Sequence, residues 1–282
     1  MSLPNLVEDE NQFISEFMGQ PSARLLSLND CLERKLLISP DSGDSLYCAD
    51  IKGKQILTTG QDNYEISSGS PILYPNEITS SWINGGLPFA CYESALKQYV
   101  LLSQIKQSGE INAPLNSEPA RKHQWRYKEF CKSLSGLILD VGSDKPSHSI
   151  QFLSEECDYL GLDPYAGSGE FRIVGLGEIL PLANESVDVV TFNTSLDHIL
   201  DYHSAIDEAF RVLRLGGKIV IATYAWLERA TLLKDSVHFH HFREWEILGA
   251  LGNGFDVIDI MRYQDPKYAT HRYGLYVMGV KL

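Results

Sequence analysis

From residue 121 onward the chain alternates short apolar runs with amphipathic stretches, whereas residues 32–76 show brief apolar runs broken at close intervals by turn formers. Apolar runs of four to eight residues read as strands, and apolar positions repeating every three to four residues read as helices. On that basis the second half predicts a helix over 121–134, a strand over 137–141 and a helix over 147–155. Strands follow at 158–162, 171–174 and 187–193, then a helix over 203–214 and a strand over 218–223. The tail predicts a helix over 243–251 and strands over 255–261 and 273–280. Strands alternating with helices mean a parallel sheet covered on both faces, an α/β class of fold.

The stretch 32–76 reads differently. Gly43, Gly53, Gly60, Gly69 and Pro71 interrupt it so often that tight β-hairpins are expected there, in a small module. Residues 1–30 are polar, then weakly amphipathic from Phe13 to Leu28, and predict a short helix or a mobile arm. A helix over 93–106 and a loop carrying Pro114 and Pro119 suggest a linker or lid at 81–120. The division expected is therefore an arm at 1–30, a β module at 31–80, the linker at 81–120 and a main domain at 121–282.

The chemistry lies at the ends of the predicted strands. Leu137-Ile-Leu-Asp-Val-Gly142 ends an apolar strand in an acid and a glycine, where the bare backbone allows a sharp turn and close approach of a nucleotide-like ligand. Tyr159-Leu-Gly-Leu-Asp163 ends the next strand in a second acid, 23 positions after Asp140. That is near the roughly 20-residue interval at which doubly wound folds set a carboxylate against ribose hydroxyls. Downstream come Gly177-Glu178-Ile-Leu-Pro-Leu, Ser195-Leu-Asp-His198 and Arg211-Val-Leu-Arg-Leu-Gly-Gly217.

In their order and spacing these segments resemble the class I S-adenosylmethionine-dependent methyltransferases, over about half the chain. The resemblance implies a doubly wound, seven-stranded, mostly parallel sheet ending in an antiparallel hairpin, with S-adenosylmethionine as cofactor and S-adenosylhomocysteine as product. It implies that Gly142 and Ser143, with the amides opening the next helix, meet the methionine moiety. Asp140 orients the turn near the ammonium group, and Asp163 with Pro164 meets the ribose. Leu176, Gly177 and Glu178 flank the adenine, and Asn193 and Ser195 border the reactive methyl. His198 is the candidate base, needed only where the acceptor carries a proton; its alternative role is helix capping or packing. The family's acid-x-Gly-x-Gly-x-Gly loop reads here Asp140-Val-Gly142-Ser-Asp144-Lys-Pro146, so two of its glycines are absent. A non-catalytic binding or scaffold protein on the same fold is the alternative that this loop keeps open.

The phrases Leu37-Ile-Ser39-Pro40-Asp-Ser42-Gly43 and Tyr64-Glu-Ile-Ser-Ser-Gly69 resemble zinc-ribbon modules, with Ser39 and Ser42 standing where that family has a cysteine pair. Serine is a poor zinc ligand, so no metal is expected, and packing of Leu46, Ile56, Tyr64 and Ile72 would hold a module that docks on the main domain. The run His238-Phe-His240-His241-Phe242 reads first as a half-buried loop over the substrate pocket, with metal binding by its histidines as the alternative. Tyr224 and Trp226 are candidate walls of that pocket.

A formal net charge of −13 disfavours nucleic acid, whose affinity rests on lysine and arginine, and a small-molecule acceptor is expected, a saccharide or lipid-linked precursor first. The basic segment 121–128, with interleaved aromatics, is the local exception and leaves open an RNA or protein acceptor. Five scattered cysteines without a Cys-x-x-Cys pair fit reduced thiols in the cytoplasm. No run approaches the roughly 20 apolar residues a membrane span needs, so no membrane insertion is expected. The oligomeric state is not legible.

Overall fold

The computed structural model describes residues 23–76, 118–164, 170–228, 238–264 and 271–282. The expected helix 93–106 and most of the expected arm and linker lie outside these residues. The main sheet uses β1 (Arg24–Leu25), β6 (Gly136–Val141), β7 (Cys157–Asp163), β8 (Ile173–Val174), β9 (Val187–Asn193), β10 (Leu213–Trp226), β11 (Phe255–Tyr263) and β12 (Arg272–Lys281). Its order is β1-β7-β6-β9-β10-β12-β11, with β8 also on β7. β12 runs antiparallel between β10 and β11, and the other pairings are parallel, so the expected mostly parallel sheet with its terminal hairpin is present, with eight strands instead of seven because residues 24–25 add an edge strand.

The strands alternate faces, and the two faces build two cores. Leu139, Val141, Leu160, Leu162, Val190, Phe192, Ile219 and Ile221 face α4 (Tyr202–Val212) and α5 (Glu244–Leu251). Ile138, Tyr159, Val189, Val220, Ala222 and Tyr276 face the other way, against Tyr127, Phe130 and Cys131 of α2 (Glu118–Cys131). Period-two alternation of apolar residues on both faces requires cover on both sides, hence the double winding. Pro119, expected in a loop, is the second residue of α2, where proline's fixed φ suits a helix start.

Two differences concern the amino-terminal part. Residues 24–25 form an edge strand of the main sheet, pairing Arg24 with Asp158 and Leu25 with Tyr159. Arg24 is ion-paired to Asp158 at 2.9 Å, and α1 (Leu28–Glu33) starts at Ser27, whose hydroxyl accepts the Asp30 N–H. The module itself is a four-stranded antiparallel sheet of β2 (Tyr47–Ile51), β3 (Lys54–Thr58), β4 (Asn63–Ser67) and β5 (Ser70–Pro71). Leu46 and Tyr64 are buried as expected, but Leu57 and Leu73 take the inner positions assigned to Ile56 and Ile72. A one-residue change of register puts the neighbour on the opposite face of a strand.

The module is tied to the main domain through backbone. Leu73 N–H donates to the Val174 carbonyl at 2.7 Å, Ile38 N–H to Pro181 at 3.1 Å, and Ala183 N–H to Leu36 at 2.8 Å. Its buried side chains join the same core as α4 and α5. Around the would-be metal pair, the hydroxyls of Ser39 and Ser42 both donate to Asp62 Oδ2, at 2.8 and 2.7 Å, and the Ser39 oxygen accepts the N–H groups of Asp41 and Ser42.

Candidate functional site

β6 delivers the chain into a turn with a left-handed backbone. Gly142 has φ +83°, and a Cβ placed on it would lie 2.3 Å from the Cβ of Ser195, so both conformation and space require glycine. Gly142 and Ser143 donate their N–H groups to the Leu162 carbonyl at 2.8 and 3.1 Å. Asp144, standing where the family has its second glycine, keeps a left-handed φ of +45° and donates its N–H to Asp163 Oδ2 at 3.0 Å. The turn thus holds a glycine-like path without the glycine, and it fastens the end of β6 to the end of β7.

One expectation, the length of the next helix, needs correction here. Ser143 is buried, its hydroxyl over Gly161, where an added Cβ would approach it to 2.6 Å, and its N–H is spent on Leu162. It therefore shapes the turn. The next helix, α3 (Pro146–Ile150), is far shorter than the predicted 147–155, because Phe152 and Leu153 turn into the core.

Asp140 is buried within the sheet, and the Tyr159 and Thr191 hydroxyls donate to its two oxygens at 2.6 and 2.7 Å. Burial raises its pKa, with both hydroxyls opposing the shift. Its carboxylate braces β6 against β7 and β9 beneath the turn. Asp163 is half-buried at the carboxyl end of β7, where the amide of Asp144 reaches it. Beside it the Tyr74 hydroxyl, from the amino-terminal module, donates to the Pro164 carbonyl. Burial and then the Asp163 charge push the Tyr74 phenol well up. Tyr74 was not identified from sequence; it adjoins Asp163 only because the module docks alongside β8.

Gly177 packs so closely that a Cβ would lie 2.8 Å from Ile199 Cδ1. Glu178 is only 5% exposed, and its Oε1 accepts the N–H groups of Leu200 and Asp201 at 3.1 and 3.4 Å. Its Oε2 is buried with no hydrogen-bond partner among the described residues, and burial raises its pKa. The carboxylate expected to flank the adenine caps the chain entering α4, a task invisible without the fold.

Beyond β9, Asn193 Oδ1 lies 2.8 Å from His123 Nε2, and the Tyr276 hydroxyl lies 2.7 Å from His123 Nδ1. The ring stacks on Tyr276, and burial lowers its pKa, which suits a neutral imidazole donating to Asn193 and accepting from Tyr276. The same helix places the Arg126 guanidinium over the Tyr263 ring, 3.1 Å from its centroid. His123, Arg126 and Tyr127 of the basic segment therefore face the protein. His123 is a second residue the sequence reading missed.

His198 follows Ser195 in a 3-10 turn (Leu196–His198), and its ring stacks on His238 at 4.6 Å between centroids. His240 turns elsewhere, its Nε2 3.0 Å from the Leu200 carbonyl oxygen, so the three loop histidines do not converge. Instead Asp197, His198 and His238 bring one donor atom each within 4.8 Å of one another. The Trp226 ring lies tilted against His241 and His271, with centroids 4.7 and 4.9 Å away, while Tyr224 lies under Arg272.

The fold is the doubly wound arrangement shared with S-adenosylmethionine-dependent methyltransferases. Residues 140–221 match the family model described as "Methyltransferase domain". Among curated proteins, the chain is 29% identical over 121 residues to a ubiquinone/menaquinone biosynthesis C-methyltransferase from Geotalea daltonii, covering 43% of this chain and 45% of that protein. It is 25% identical over 155 residues to a demethylmenaquinone methyltransferase from Thermobifida fusca, covering 49% and 61%. The match spans about half the length of these relatives. The fold is shared with the 1,6-didemethyltoxoflavin-N1-methyltransferase of Burkholderia thailandensis, at 15% identity and a TM-score of 0.53, over 83% of this chain and 98% of that one. No helix among the described residues is long and apolar enough to cross a membrane.

Proposed function

We propose that the protein transfers a methyl group from S-adenosylmethionine to a small-molecule acceptor. The observation that carries this reading is the joined turn: Gly142 and Asp144 both hold left-handed backbone, and the Asp144 amide orients the Asp163 carboxylate at the neighbouring strand end. The turn keeps left-handed backbone at both positions although two glycines are absent, which supports a nucleoside site at this sheet position.

The residues fit an adenosyl group as follows. Asp163 is half-buried and orientated, as a carboxylate binding two ribose hydroxyls must be, with Pro164 and Tyr74 closing that side. Leu176 and Gly177 supply a close-packed floor for a purine. Asn193, fixed by His123, and Ser195, buried against the turn, border the reacting end, with Asp140 holding the strand beneath. When bound, S-adenosylmethionine supplies an electrophilic methyl with a neutral thioether as leaving group, so the protein's contribution is chiefly in-line positioning. A proton acceptor is needed only for a protonated nucleophile, and His198 stands within the cluster that would face it.

For the acceptor, similarity to quinone-biosynthesis C-methyltransferases supports an activated ring carbon over the saccharide hydroxyl suggested by composition. The flat surfaces of Trp226, His241 and His271 suit a planar acceptor. A second reading, a non-catalytic protein, is favoured by one observation: the amides of Gly142, Ser143 and Asp144 are all engaged within the chain. Calorimetric titration with S-adenosylhomocysteine separates the two. Saturable one-to-one binding supports the enzyme, and silence at millimolar ligand supports the scaffold.

A further inference from the structure

The geometry points to a divalent transition-metal site formed by Asp197, His198 and His238 at the carboxyl end of β9. Their donor atoms lie within 4.8 Å of one another, and His238 Nε2 is 3.8 Å from Asp197 Oδ2. Ligands around a tetrahedral ion with bonds of about 2.1 Å stand roughly 3.4 Å apart. A separation at the 4.8 Å limit therefore needs to contract by about 1.4 Å, within the reach of side-chain rotation.

Two further observations distinguish this from a chance cluster. Asp197 is 9% exposed, and its Oδ1 is buried with no hydrogen-bond partner among the described residues. A buried carboxylate oxygen left unpaired is costly, and a cation is the partner that relieves it. The loop that presents His238 is also tied to the same residue: Phe239 and His240 donate their N–H groups to the Asp197 carbonyl at 2.9 and 3.2 Å. Backbone thus holds the two halves of the site together before any ion binds.

The donor set decides the ion. Two imidazoles and one carboxylate select zinc, iron(II), cobalt(II) or manganese(II) over magnesium or calcium, which take oxygen ligands. Three protein ligands leave coordination positions open, as in metal sites that bind substrate. In this arrangement His198 is a metal ligand instead of a free base. The ion's binding does not depend on the methyl-transfer reading.

The test is titration of cobalt(II) alone into the metal-stripped, untagged full chain, followed by visible absorption. One equivalent per chain with ligand-field bands is expected. His238→Gln is expected to weaken binding by roughly 100-fold or more, since even losing a residue that only orients a ligand costs about 10- to 100-fold. His240→Ala, which removes a nearby imidazole outside the trio, should leave the titration unchanged. X-ray absorption on the wild-type cobalt form reads the ligand set without any substitution and should show two imidazoles and one carboxylate. Absence of saturable bands, equal binding by His238→Gln, or a different ligand set overturns the assignment. Because S-adenosylhomocysteine is not a component, a failed titration here leaves the cofactor result standing, and the reverse also holds.

Discussion

Glu178 offers a test of how the cofactor edge is built, because its carboxylate stands in for peptide carbonyls at the entry to α4. Removing it by Glu178→Ala leaves the Leu200 and Asp201 amides, 3.1 and 3.4 Å from Oε1, without that acceptor. A buried donor stripped of its partner costs about 1–3 kcal/mol, and the Asp201 bond at 3.4 Å counts at the bottom of that range, so the pair should cost about 2–4 kcal/mol. At about 2–4 °C per kcal/mol for a domain of this size, the melting temperature should fall by roughly 4–16 °C. Glu178→Gln keeps an acceptor oxygen and removes only the charge. Burial raises the folded pKa above the ordinary glutamate value of 4.5. The carboxyl's favourable contribution is therefore complete below pH 4.5 and is lost as pH rises through the folded pKa. Glu178→Gln should thus gain stability relative to wild type as pH rises from 4 to 8. Calorimetric melting of the three proteins across that range is the assay. An unchanged Glu178→Ala protein would refute the capping role, and a glutamine variant that loses ground with rising pH would refute the dominance of burial over the amide bonds.

The other predictions concern the turn, the positioning network and the module. Asp144→Asn should tighten S-adenosylhomocysteine binding about threefold at low salt, since like charges roughly 7 Å apart near water repel by about 0.6 kcal/mol, and screening should shrink the gain at physiological salt. Calorimetry at two ionic strengths that finds no salt-dependent gain removes Asp144 from the cofactor's surroundings. His123→Phe should leave that affinity unchanged and lower turnover about fivefold, the worth of one hydrogen bond of roughly 1 kcal/mol, because Asn193 loses its anchor. Equal turnover by initial-rate assay makes the network purely structural. Hydrogen bonds from Ser42 and Ser39 hold the Asp62 carboxyl below the ordinary value of 3.8, so its support is present above pH 3.8 and fades as pH falls further. Amide exchange at residues 41 and 42 should quicken in Asp62→Ala at neutral pH, and unchanged protection there removes Asp62 as the organiser of that turn.

Much of this architecture was legible because local and global preferences agree. Val187-Asp-Val-Val-Thr-Phe-Asn193 reads as a strand and is one over the same residues, since both of its faces are covered. Helix ends were less legible. The predicted helix 203–214 stops at Val212 because Leu213 pairs with Val187 and begins β10 early. Ile56 and Leu57 are adjacent and equally apolar, so composition does not say which faces inward; the register of β3 against β4 decides it. Motif spacing located Asp163 and Gly142, but the tasks of Glu178, His123 and Tyr74 depend on partners 22 to 90 positions away. Such contacts exist only once the sheet has brought strand ends together. The same reason hides the Asp197–His198–His238 grouping, which joins a turn after β9 to a loop before α5.

The claim on which the account rests is that Asp163 and the turn at Gly142 hold an adenosyl group. Calorimetric titration of S-adenosylhomocysteine into wild type and Asp163→Ala measures it directly. The account predicts one saturable site per wild-type chain, weakened at least tenfold when the carboxylate and its charge-assisted bonds to ribose, about 1.5–3 kcal/mol, are removed. Binding equally tight in Asp163→Ala, or no heat in either protein at millimolar ligand, would contradict it.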